Sequence, residues 1–465
     1  MHDGRQSSPA RLPAVSIGLD FTQVLMEFPG TAAMKLRMRG LTLLLLMFVP
    51  QWVAAYSALT HEQVVDLAWT SRIEPLLRQR FPNASDAELT EAHAYAYGGC
   101  IIQDLGYYPF GSKDFSNLVH YVRSGDFVSA LLRDSSDIDE YAFALGALAH
   151  YVSDTEGHPA INRSVAMEYP KLRAKYGERV TYEDNPRAHI RTEFGFDVVQ
   201  VAKNRYTSDE YHSFIGFQVS KPLLEQAFRE TYGLELSDVF GNVDLSIGTY
   251  RRSVSTVIPE MTRVALLTKH AELVQDNPTF DEKKFLYRLS RTEYEKEWGS
   301  QYQQPGPGAR FLAFVIRIVP KVGPLKTVDI TVPSSTTENL YIASVNKTVD
   351  SYNADLASLL SSKQLNLPNL DFDTGWPTEP GEYELADQTY NKLVNKLSAR
   401  QFDLLNAQLQ SNVATYYAHA RRDRPADASA GDWDKLMAEI DALRSVNVES
   451  NTRVGKGAGP GGSVR

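Results

Sequence analysis

The sequence predicts an all-α protein, a multi-helix domain followed by a largely helical C-terminal extension. Three observations carry that prediction. Apolar residues recur at three- and four-residue spacing in segment after segment. Strand-like alternation is scarce, with Thr327 to Val332 and Phe311 to Ile318 the best candidates. The polar residues buried in these apolar segments pair at i, i+4, a helical period.

Taken in order, residues 1–55 read as a processing segment. Lys35, Arg37 and Arg39 precede an apolar run from Leu41 to Val49, and Val53-Ala54-Ala55 supplies a small-residue cleavage site. This is signal-peptide grammar, with Met34 as the expected start. The run is far short of the ~20 residues that span a bilayer. Cleavage after Ala55 would make Tyr56 the mature N-terminus and place the protein outside the cell or in the periplasm.

Within the expected domain of residues 56–300, Thr60 to Phe81 is predicted helical. Thr60 is its N-cap, and Pro82 follows its end. Ser85 to Tyr97 begins with a capping box, Ser85 then Glu88. Gly98, Gly99, Gly106, Pro109 and Gly111 mark a loop. Helices are then expected over Phe115 to Val122, Phe127 to Arg133, Asp139 to Ser153, Arg187 to Asn204, Leu223 to Tyr232 and Thr249 to Val274. Gln301 to Gly308 reads as a linker. Beyond it lies a mostly helical region, 309–445, with helices from Glu338 to Ser361 and Glu384 to Ala420 around a loop from Leu367 to Pro380. A disordered tail, 446–465, is Gly-rich from Asn451.

Composition narrows the chemistry. The chain has 465 residues, 43% apolar, which excludes wholesale disorder. The single Cys excludes disulfide scaffolds and thiolate zinc sites. A net charge of −9 argues against a nucleic-acid coat, and loss of residues 1–55 would take it to −11. An acidic protein binds anionic substrates when metal ions supply local positive charge.

The ten His are unevenly placed. His150, Asp154 and His158 stand at i, i+4 and i+8. Four residues turn a helix about 400°, so the three form one stripe. His189 and Glu193 repeat the i, i+4 pair. His150 begins this stripe in a segment as apolar as AFALGALAHYV. Taken singly, His150 reads more readily as a hydrogen-bonded core histidine and His189 with Glu193 as a surface pair, and Asp104 reads also as a turn residue. The stripe and the second pair, together with His61, Asp104 and His120, form a set of five imidazoles and three carboxylates. Burying such a set is costly unless a cation satisfies it.

In these residues the sequence resembles the zinc-dependent phospholipase C family and its relatives, the single-strand-specific zinc nucleases. The order Tyr56, His61, Asp104, His120, His150, Asp154, His158, His189, Glu193 follows the family's ligand order, over about Tyr56 to Gln200. The resemblance implies an all-helical fold and three Zn²⁺, with two the fallback. One zinc would take Asp104, His120, His150 and Asp154. A second would take His158, His189 and Glu193. A third would take His61, Asp154 as a bridge, and the amine and carbonyl of Tyr56. It also implies that Asp104 is both ligand and general base. Three departures stand out. Tyr56 replaces the family's usual Trp, Asp154 and His158 are closer than in the secreted phospholipases, and Glu193 follows the phospholipases where the nucleases carry Asp.

The activity so implied is hydrolysis of a phospholipid head-group phosphoester, with water acidified by zinc. A nuclease on the same scaffold and a non-catalytic protein with a structural zinc cluster are the rival readings. The expected partners are a phospholipid or other phosphodiester and a transient membrane surface, with no stable nucleic-acid complex. Tyr107, Tyr108 and Phe110, after Asp104, either line the pocket or pack beneath the loop. The run Phe311 to Val319 either docks on lipid or fills the core.

Overall fold

Helix formation dominates a computed structural model that describes residues 58–202, 216–258, 262, 331–420 and 430–448. All of these fall in the unit Gln51–Arg465. The described residues form fourteen α-helices and no strand; Leu370 and Pro377 make one isolated bridge. The processing segment, Tyr56, the linker, the Phe311 run, Thr327 to Ile330 and the tail from Asn451 lie outside them.

The first predicted helix is α1 (Ala58–Ala68), a π-turn (Trp69–Ile73) and α2 (Glu74–Arg80), ending before Pro82. Thr60 is not its N-cap. It lies inside α1, buried, with Oγ1 donating to Asp197 Oδ1 at 2.6 Å. Asp197 Oδ2 accepts from Leu59 N at 3.1 Å, so a distant carboxylate satisfies the donors at this helix end.

α3 (Asp86–Gly99) begins with the predicted capping box: Ser85 Oγ accepts from Glu88 N, and Glu88 Oε2 accepts from Ser85 N. Gly98 and Gly99 belong to this helix and not to a loop. A Cβ on Gly99 would meet the Phe143 carbonyl oxygen at 2.0 Å, and one on Gly146 would meet that of Ala96 at 2.1 Å. These glycines serve close helix–helix approach, which the sequence pattern alone reads as punctuation.

A 3₁₀ turn (Ile102–Tyr107) leads to α4 (Lys113–Tyr121), α5 (Ser124–Asp134) and the 31-residue α6 (Ile138–Glu168). Asp137 caps α6 by accepting from Glu140 N at 2.8 Å. α6 runs through Pro159 instead of stopping there. Its far half is held by packing, with Ile161, Val165 and Ala166 buried against Phe196 and Tyr341. The tertiary contacts outweigh the hydrogen bond that Pro159 removes.

α7 (Pro170–Tyr176) and α8 (Pro186–Ala202) follow, then α9 (Lys221–Tyr232) and α10 (Val243–Arg252) with a π-turn (Ser253–Val257). α11 (Ser335–Leu360) lies along α6, and Tyr352 in it donates to the Leu145 carbonyl at 2.9 Å. The stretch expected as one helix from Glu384 to Ala420 is two, α12 (Glu384–Ala399) and α13 (Ala407–Ala420). Gln401 and Phe402 break it with positive φ, and Phe402 is buried. α14 (Ala430–Ser445) ends the described chain's helices. The largest apolar core joins residues from Ala58 to Leu443, so the helices after residue 331 share it.

Candidate metal centre

α6 supplies His150, Asp154 and His158 on successive turns, all fully buried. α8 adds His189 and Glu193, α1 adds His61, α4 adds His120, and the 3₁₀ turn adds Asp104. Each of these is also buried. Eight of the nine expected ligands are thus brought together, and Tyr56 lies outside the described residues.

Their ligand atoms gather into three groups: His61, His150 and Asp154; Asp104, His120 and His150; His158, His189 and Glu193. Asp154 joins them. Its Oδ2 lies 3.0 Å from His150 Nε2 and 3.5 Å from His120 Nε2. Its Oδ1 lies 3.5 Å from His61 Nε2 and 3.6 Å from His158 Nε2. The remaining contacts are Asp104 Oδ1 to His120 Nε2 at 3.3 Å, and Glu193 Oε1 to His189 Nε2 at 2.8 Å and to His158 Nε2 at 3.7 Å. The grouping differs from the expected ligand sets in two respects: His150 falls in both the His61 group and the Asp104 group, and Asp154 is grouped with His61 and His150 but not with Asp104. The His150 ring stacks on that of His61 at 4.3 Å.

The donor chemistry fits zinc. Nε2 of His120, His150 and His189 and all four carboxylate oxygens of Asp104 and Asp154 are buried without a hydrogen bond. Such groups are expensive to bury unsatisfied, and a cation would satisfy several of them at once. Zinc bonds to N and O are about 2.0–2.2 Å, so neighbouring ligand atoms of a tetrahedral site lie about 3.4 Å apart. The separations above bracket that value.

The outer nitrogens fix the tautomers. His120 Nδ1 lies 2.7 Å from the Ser116 carbonyl oxygen, and His150 Nδ1 lies 2.9 Å from that of Cys100. A carbonyl only accepts, so Nδ1 carries a proton in both, which leaves Nε2 as the nitrogen turned inward to a metal. His158 Nδ1 donates to Asp373 Oδ1 at 3.1 Å.

The proton affinities diverge within this small space. Burial opposes ionisation of Asp154, but His150, His158 and His120 outweigh it and hold the carboxyl well below the usual range. Burial pushes Asp104 up, against the pull of His120. It also pushes Glu193 well above the usual range and lowers His189 to about 4. Burial works against a charged His120, yet Asp104 and Asp154 raise it to about 10.

Tyr107 stands beside the centre, its ring 5.8 Å from that of His120, while Tyr108 packs edge-on against Tyr250 in the core. Phe110 turns its backbone at positive φ and accepts from Ser246 Oγ at 2.6 Å through its carbonyl. Tyr182, not singled out by the sequence, lies 6.0 Å from the His189 ring and 6.2 Å from that of Tyr107.

The expected loop from Leu367 to Pro380 also reaches the centre, which the sequence did not single out. Phe372 is fully buried against His120 and His150, at 5.0 and 6.0 Å between rings. Asp373 Oδ2 accepts from Tyr121 Oη at 3.0 Å and Tyr383 Oη at 2.6 Å. Only the turn residues of LDFDTGWP mark this segment in the sequence, and they point to a loop rather than to a site.

Residues 60–242 match the family model of zinc dependent phospholipase C. No curated protein and no solved structure matches the chain at a significant level. The matched segment contains all eight clustered residues, whereas Phe372 and Asp373 lie beyond it.

Proposed function

We propose, from the zinc-dependent phospholipase C domain in residues 60–242, that the protein is a zinc-dependent phosphodiesterase acting on phospholipid head-group phosphoesters. The observation that carries this reading is the set of three buried His/carboxylate groups joined through Asp154. Three zinc ions would be held: one by Asp104, His120, His150 and Asp154, one by His158, His189 and Glu193, and one by His61, Asp154 and the N-terminal residue.

When bound, zinc supplies positive charge for a phosphoryl group and makes water more acidic at neutral pH. The chain's own residues do the rest. Asp104 is the proposed base, because its carboxylate is grouped with His120 and His150 at the centre. His120 and His150 are held in one tautomer by main-chain carbonyls and keep the ligand geometry fixed. Tyr107 and Tyr182 stand beside His120 and His189 and are the proposed lining for the head group. Glu193 supports a phospholipid over a nucleic-acid substrate. Export with cleavage after Ala55 belongs to the proposal, because it frees the amine of Tyr56.

The test is protein beginning at Tyr56, loaded with zinc and given phosphatidylcholine vesicles and single-stranded DNA in parallel. Release of a phosphorylated head group, with the DNA intact, is expected. Cleavage of DNA alone would move the assignment to a nuclease, and no turnover on either would remove the enzymatic reading.

A further inference from the structure

We propose that Asp373, from the segment beyond the matched domain, is a positioning residue for the His158, His189 and Glu193 group. It holds the proton on His158 Nδ1 and so aims Nε2 at the point that His189 and Glu193 share. This rests on the zinc reading above.

The side chain is built into place. Asp373 is buried, with Oδ1 facing His158 Nδ1 at 3.1 Å and Oδ2 taking both the Tyr121 and the Tyr383 hydroxyl protons. Three donors converge on one carboxylate, which suits the ionised form as acceptor. Its carbonyl accepts from Asn162 Nδ2 at 2.7 Å, on the same helix as His158. Asp371 Oδ1 accepts from the backbone N–H of Asp373 and of Thr374, at 2.7 and 3.0 Å, and fixes the turn. Gly375 completes it at φ +73, where a Cβ would lie 2.6 Å from the Thr155 carbonyl on α6. The turn therefore lies directly on the helix that carries the ligand.

His158 differs from the other two oriented histidines. His120 and His150 lean on neutral carbonyls, whereas His158 leans on a carboxylate. A carboxylate partner fixes the ring and also makes its inner nitrogen more basic, and loss of such a partner typically weakens metal binding by about 10- to 100-fold.

Full-length mature protein is compared with Asp373→Ala and Asp373→Asn. Zinc affinity is read by chelator competition, the His158 tautomer by nitrogen NMR, and folding by circular dichroism. Asp373→Ala is expected to weaken one zinc by about 10- to 100-fold and to lose the fixed Nδ1–H tautomer, with the other zinc affinities kept. Asp373→Asn retains an oxygen acceptor and is expected to recover part of the loss. If Asp373→Ala does not fold, Tyr383→Phe removes one donor from Oδ2 without touching His158, and a smaller loss at the same zinc is expected. Wild-type affinity and tautomer in the folded variants would overturn the positioning role alone. Wild-type protein that binds no zinc would overturn the zinc reading and this inference with it.

Discussion

Asp154 Oδ2 lies 3.0 Å from Nε2 of His150, one turn earlier on the same helix. Its other oxygen faces His61 and His158. One carboxylate thus borders all three ligand groups, and its loss is predicted to be felt in each. Asp154→Ala should bind less than the wild-type number of zinc ions, and activity should fall by more than the roughly 100-fold upper range of an outer-shell change. Metal analysis after gel filtration, alongside phosphodiesterase turnover, checks this.

The proton on His120 gives a pH dependence with a definite sign. Against the opposition of burial, Asp104 and Asp154 raise this imidazole to about 10, from about 6.5 in an unfolded chain. In metal-free protein the resulting stabilisation is full below about pH 6.5 and is lost as pH rises toward about 10. Zinc must displace that proton, so zinc affinity should instead increase with pH over the same window. Proton release during zinc titration in weak buffer, and thermal melts of metal-free protein at pH 6 and 9, test the two halves separately.

Gly99→Ala should destabilise the fold. Ala gains about 1 kcal/mol of helix propensity over Gly. The new methyl, however, would meet the Phe143 carbonyl oxygen at 2.0 Å, and backbone cannot yield as a side chain does. Overpacking costs of about 1–3 kcal/mol or more outweigh the gain. A lower thermal midpoint is the expected result.

Ser85→Ala removes the oxygen that accepts from Glu88 N at the start of α3. The expected cost is about 1 kcal/mol. Denaturant unfolding should show it while zinc stoichiometry stays at the wild-type value, because α3 carries none of the clustered ligands.

The helices and the clustering of the candidate residues were legible for the same reason. His150, Asp154 and His158 repeat with the period of the helix that carries them, and His189 with Glu193 likewise, so spacing alone puts each set on one face. Ser85 and Glu88 were legible because a cap is local. What escaped is what sequence distance hides. Gly98 and Gly99 carry the same letters whether they turn a chain or admit a neighbouring helix. The break at Gln401 and Phe402 has no glycine to announce it. Asp373 belongs to no periodic pattern, and its role arises only from the arrival of His158, Tyr121 and Tyr383 around it.

The hydrogen bond between His158 and Asp373 closes 215 positions of chain. Contacts of such long range form late in folding, because the entropy of closing so long a loop must be lost before they reward it. α6, which carries three of the clustered residues, can pair earlier with α3, which lies much nearer to it in the chain. The final orientation of His158 has to wait for residues made long after it. On the proposed role of Asp373, maturation of this centre is tied to completion of the chain, and a ribosome-bound or C-terminally clipped form would present the clustered residues before their geometry is set.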